Sequence, residues 1–232
     1  FGTRDGRLER RRPFSAATTW ATVPGSAALV LASIATTSYD GASEGAFADA
    51  IEKVIGWVEG IGFGITASIR ITDTIFLLLT FAGVSLVYWL GVRGMRTVPG
   101  APTLKKLRVG FAHTLIPIAL AYLVAHYFSL FVFQEQAQFT YLLSDPLGTG
   151  TTDLFGTASA GVDYTVLTAN AIWYVQVGAL IVGHVLGLML AHDRALVYWP
   201  NYRKATASQY WMLAVMVAFT CFGLYLLSVS NS

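Results

Sequence analysis

Five stretches nearly free of Lys, Arg, Asp and Glu constrain this chain more than any motif in it: Ser15–Tyr39, Asp73–Val92, Val109–Phe133, Thr168–Ala191 and Gln209–Val229. About 20 apolar residues are what an α-helix needs to cross roughly 30 Å of hydrocarbon. The stretches are continuous rather than alternating, which argues against a transmembrane β-barrel. Composition agrees: 55% of residues are hydrophobic and only 12% charged, where a soluble domain carries about 25% charge. The expected fold class is all-α, a polytopic transmembrane bundle of about five spans with an amphipathic helix at its outer interface.

Cationic residues alternate with the spans. Arg4, Arg7, Arg10, Arg11 and Arg12 precede the first, and Arg93, Arg96, Lys105, Lys106 and Arg108 lie between the second and third. Arg194, Arg203 and Lys204 fall in 192–208, whereas 40–72 holds only Lys53 and Arg70, and 134–167 holds none. Positive charge is retained on the cytoplasmic side. The expectation is therefore a plasma-membrane protein with its N-terminus inside and its C-terminus outside. Residues 1–14 form a cytoplasmic Arg-rich segment, residues 15–232 the bundle, and 40–72 and 134–167 its external parts. The net charge of +2 gives no reason to expect nucleic acid as a partner; the partner is the lipid bilayer.

"FGTRDGRLERRRP" has no apolar core and is not a signal peptide. It reads as a cytoplasmic loop of a longer protein. One cysteine, Cys221, excludes a disulfide framework and a thiolate metal site. In "FADAIEKVIGWVEGI" the apolar residues Phe47, Ile51, Val54, Val58 and Ile61 recur at helical spacing, which predicts an amphipathic helix. Two placements are open to it, flat in the interface with Trp57 among headgroups or packed on the bundle. Residues 134–164 are too long for a mere connector. With Phe139, Tyr141, Leu147, Leu154 and Phe155 to bury, they are expected to form a structured cap.

"GRLERRRPF", "TTSYDGASEG", "HTLIPIALAYLVAHY", "SDPLGTGTTDLFGT", "IWYVQVGALIVGHVLGLMLAHDRAL" and "SQYWMLAVMVAFT" together resemble a bacterial, largely actinobacterial, family of integral membrane proteins known as fenitrothion hydrolases. The resemblance runs over nearly the whole chain. It implies hydrolysis of an organophosphorus ester at the membrane. It also implies a partner in further transmembrane spans ahead of the Arg-rich segment. The residues add no familiar hydrolytic motif: G-x-S-x-G, H-E-x-x-H, H-x-H and the Walker A pattern are all absent. A metal cluster that activates water would have to be assembled from separate helices.

The four histidines fall in or beside the third and fourth spans. Ionisable groups inside a membrane face the bundle interior and mark functional sites, although a neutral histidine also serves as hydrogen-bonding glue between helices. His113 and His126 are 13 residues apart, roughly 140° around the helix and about 20 Å along it, so they cannot share a ligand. Pro117 denies a hydrogen bond to the carbonyl of His113 and predicts a kink there. His113 and His184, on antiparallel helices, fall at depths about 5 Å apart, close enough to meet. They are the candidate catalytic or metal-binding pair, for a divalent metal or a haem iron. His126, Tyr122, Asn170 and Gln176 line a candidate solute or proton path, joined by the external carboxylates Asp145 and Asp153. A third reading makes the chain a structural subunit of a membrane complex. Asp40-Gly41 is expected to be a turn, Asp73 a helix cap, and Gly178, Gly183 and Gly187 sites of close packing.

Overall fold

The computed structural model describes residues 2–4, 7–9, 23 and 25–230. At the start of the chain β1 (Gly2–Arg4) pairs antiparallel with β2 (Arg7–Glu9), Gly2 opposite Glu9. The rest of the Arg-rich segment, and residues 15–22 and 24 of the first expected span, lie outside the described residues. Everything else with regular structure is helical: α1 (Ser26–Ser43), α2 (Ala48–Gly60), α3 (Ile65–Met95), α4 (Leu104–Ala112), α5 (Ile116–Ser144), α6 (Ala169–Tyr198) and α7 (Tyr202–Ser230).

Four helical runs are long and apolar enough to cross a membrane: Ile65–Met95, Leu104–Ser144, Ala169–Tyr198 and Tyr202–Tyr225. They match the last four expected spans to within a few residues, and the chain is a helical multi-pass membrane protein. In hydrocarbon each backbone N–H and C=O must find its partner inside the segment, and an α-helix does that by itself. The described part of the first expected span, α1, has 18 residues and ends in polar Thr36, Thr37, Ser38 and Asp40. It is not among the four.

Pro117 does not break its span. α4 passes through a 3-10 turn, His113–Leu115, directly into α5, with Pro117 in the first turn of α5. The carbonyl of His113, expected to be free, accepts the N–H of Ile116 instead. Tightening to i→i+3 bonding thus repairs the gap that proline leaves. The resulting run of 41 residues is about 60 Å long, twice the hydrocarbon thickness. α5 accordingly takes up the first part of the expected external segment, and the connection to α6 begins only at Asp145.

Glycines set the helix spacings. A Cβ at Gly183 of α6 would collide with that of Ala121 and stand 2.7 Å from the carbonyl oxygen of Pro117. One at Gly187 would stand 3.0 Å from the carbonyl oxygen of Thr114. Gly178, expected to do the same, faces open space. On α3, Gly91 and Gly94 receive Val215 and Trp211 of α7. α2 is amphipathic as expected and takes the packed placement. Ile51 and Val58 are buried, Phe47 meets Phe76 at 6.0 Å between ring centroids, and Trp57 stays 67% exposed.

Gly183→Val is expected to lower stability by about 1–3 kcal/mol, the usual cost of overpacking. Gly178→Val should leave it nearly unchanged. Thermal unfolding of the two variants in the same detergent checks the contrast.

Candidate functional site

The interface of α5, α6 and α7 carries the polar side chains that hydrocarbon most disfavours. The buried stripe of α6 runs through Ile172, Gln176, Leu180, His184, Gly187 and Ala191, a helical i+4 ladder that the 3.6-residue repeat imposes. Asn170, expected to line the path, is exposed and does not join this stripe. Gln176 donates from Nε2 to the carbonyl of Ala125 at 2.8 Å, while its Oε1 is buried without a partner among the described residues.

Two turns along, His184 is only 7% exposed. Its Nδ1 lies 2.6 Å from the carbonyl oxygen of Leu180, so Nδ1 carries the proton and Nε2 presents a lone pair. That Nε2 is buried and has no partner among the described residues. The ring beside it is Tyr122 of α5, 6.1 Å away between centroids. The Tyr122 hydroxyl donates to the carbonyl of Phe219 on α7, and Gly223 makes room for it. Tyr122 and His184 therefore meet across α5 and α6, while Gln176 joins the same two helices two turns away.

His113 opens the 3-10 turn that leads into α5. With Thr114 opposite Gly187 and Pro117 opposite Gly183, it lies about a turn, roughly 6 Å, from the level of His184. It is half-buried and within electrostatic reach of the Arg194 guanidinium. Arg194 itself lies over the Tyr198 ring at 5.1 Å and donates to its hydroxyl at 3.2 Å. His192 is engaged by Asp193 at 3.6 Å and stacks edge-on against Tyr202.

The described residues contain no group of three His, Cys, Asp or Glu able to hold a metal. The Nδ1 bond to Leu180 orients His184 as a ligand would be oriented, but Nε2 is its one remaining donor atom, and Gly183 brings α5 close against α6 beside it. These donors fit neither a hydrolytic metal centre, which takes three protein ligands, nor a haem.

A second cluster was hidden in the sequence. Asp40 is no turn residue: α1 continues past it to Ser43, and its carboxylate crosses to α5. One oxygen, Oδ2, lies 2.8 Å from His126 Nε2 and accepts the Tyr127 hydroxyl at 2.9 Å. The next residue back, Tyr39, donates to Asp73 at 2.8 Å. Asp73 is not a cap, since α3 starts at Ile65 and reaches it after two turns. His126 and Asp73 each lie 22 residues, about 33 Å, from the basic end of their helical runs at Leu104 and Met95. That is one hydrocarbon thickness, so this cluster marks the opposite membrane boundary. Asp40 is 51% exposed there.

The external carboxylates have a different task. Asp145 accepts from the hydroxyls of Thr152 (2.7 Å) and Thr149 (3.0 Å) and from the Gly150 N–H. These bonds, that of Thr152 foremost, hold its carboxyl down at about 2. Asp153 accepts from the backbone of Thr157 and Ala158, and Gln136 clamps the backbone of Asp163 through both its amide atoms. Both proposed binding aspartates are thus occupied in ordering their own loop. These bonds order the loop, but Phe139, Tyr141, Leu147, Leu154 and Phe155 are all exposed, so the expected burial beneath a cap does not occur.

A carboxyl whose folded value lies below its unfolded value of 3.8 adds order that is full above 3.8 and lost as pH falls through about 2. The Gly150 amide resonance is accordingly expected to titrate with a midpoint near 2; a midpoint at the ordinary value would show that the carboxylate is not engaged in solution. Comparison with family models, curated proteins and solved structures found no match to this chain.

Proposed function

We propose that this membrane protein conducts or relays protons along the α5–α6–α7 interface. The observation that carries the reading is His184, buried in the bundle with Nδ1 fixed and Nε2 unsatisfied. A buried acceptor left without a donor costs about 1–3 kcal/mol, and buried water is the ordinary remedy. Gln176 Oε1 poses the same demand eight residues away on the same stripe. Eight residues are about 12 Å, a distance that two or three waters bridge. Ala125, whose carbonyl holds Gln176, directly precedes His126. The stripe therefore leads from the carboxylate-held imidazole at one membrane boundary to the imidazole in the interior. Histidine is suited to relay because it gains and releases a proton near neutral pH.

Proteoliposomes carrying an imposed pH gradient and a trapped pH dye test this. Proton flux through the wild-type chain should fall at least about tenfold in His184→Phe, which removes both ring nitrogens from the relay. Flux equal to that of protein-free vesicles would sink the reading.

We propose the ester hydrolysis implied by the family resemblance as a second reading, favoured by the Asp40–His126 pair. A carboxylate that orients an imidazole makes it an effective general base for water, and this one opens at the surface where a lipophilic ester arrives. Membranes containing the protein should then release the phenol leaving group from an organophosphorus ester. Asp40→Asn should slow release at least about a hundredfold. Turnover unchanged in that variant removes the pair from the chemistry.

A further inference from the structure

The last turn of α3 presents Arg93 and Arg96, three residues apart and both exposed. Like charges at this spacing share a helix face and repel. No carboxylate relieves them: the ion pairs among the described residues are those of His126 and His192. The adjoining segment through Arg108 adds Lys105 and Lys106 and contains no acid. An anion from outside the chain would relieve the repulsion.

The surroundings are shaped for one. Arg93, Arg96, Thr97 and Leu104 line a cavity of about 440 Å³. The Arg93 guanidinium lies over the Trp89 ring, 4.9 Å from its centroid, which fixes its plane and leaves its N–H edge free to face the cavity. Thr97 is tied back to the Gly94 carbonyl at 2.8 Å, and buried Val98 anchors the turn that follows. Two guanidinium forks on a firm wall match the oxygens of a tetrahedral phosphate better than a planar carboxylate, because each fork can engage two of them. Trp89 is of the kind that settles at headgroup depth.

We propose that this cavity is a binding site for a phosphate ester, supplied by an anionic phospholipid headgroup at the membrane surface or by soluble phosphate. Arg93 and Arg96 grip the phosphate oxygens, and Trp89 holds Arg93 in position. The site is separate from the polar stripe and stands whether or not that stripe moves protons.

Native mass spectrometry of the full chain in detergent, given equal phosphatidylglycerol and phosphatidylcholine, provides the test. Phosphatidylglycerol adducts should exceed phosphatidylcholine adducts by about tenfold, and the combined Arg93→Gln and Arg96→Gln variant should lose that excess. Lys204→Gln, a cation outside the cavity, should keep it. Thr97→Glu places a carboxylate on the exposed wall without touching the core, and should abolish the excess even where the double variant folds poorly. Calorimetric titration with inorganic phosphate separates the sources. Binding that depends on Arg93 and Arg96 without any lipid preference assigns the site to soluble phosphate, and competition with phosphatidylglycerol assigns it to both. Equal phosphatidylglycerol retention by wild type and Thr97→Glu, with no Arg-dependent phosphate binding, overturns the proposal.

Discussion

The close contact of α5 with α6 at Gly183 and Gly187 is the constraint on which the rest depends. Without side chains at those positions the two backbones approach until Ala121, Pro117 and Thr114 fill the notches. That distance lets Gln176 reach the Ala125 carbonyl and brings Tyr122 beside His184. It also expels lipid from the interface, so the polar groups there see one another instead of hydrocarbon. Association in a bilayer has little hydrophobic drive between helices; steric fit at two missing side chains supplies what apolar area does not.

α1 is held by other means. Its polar end would be a poor lipid-facing helix, but Tyr39 and Asp40 project to different neighbours and bind it to α3 and α5 at once. Two adjacent residues on a helix point about 100° apart, which is what a helix wedged between two others requires. Farther in, Tyr88 of α3 donates to the Arg108 carbonyl on α4 at 2.6 Å. Hydrogen bonds between helices thus fasten α1 to α3 and α5 and α3 to α4, in addition to those of Tyr122 and Gln176 in the interior.

Much of this was legible in the sequence, for reasons that can be named. The membrane helices follow from charge-free runs, and α2 from the spacing of Ile51, Val54 and Val58. Gln176 and His184 share a buried face because the i+4 steps 176–180–184 stay within about 80° around the helix. What escaped depends on contacts between distant parts of the chain. Asp-Gly at 40–41 carries a turn signal, and only the partner on α5, 86 residues away, explains why the helix continues through it. Asp73 looked like a cap because the apolar run starts there, whereas the helix starts eight residues earlier in more polar sequence. Both aspartates break otherwise apolar helices, and that was the signal available. The level of His113 against His184 depends on helix register, which Gly183 and Gly187 set and no spacing within one helix encodes.

The continuous run from Leu104 to Ser144 also has a mechanical side. It is a stiff rod with a single joint, the 3-10 turn at His113–Leu115. From Leu115 the tip at Ser144 is about 43 Å away and His126 about 16 Å. A sway of about 3 Å at the tip, where the external loop is tethered through Thr140 and Gln136, carries His126 by about 1 Å. A displacement of that size converts a 2.8 Å bond to Asp40 into no bond at all. The lever ties whatever presses on the loop to the hydrogen bond that joins α1 to α5 at the rim of the bundle.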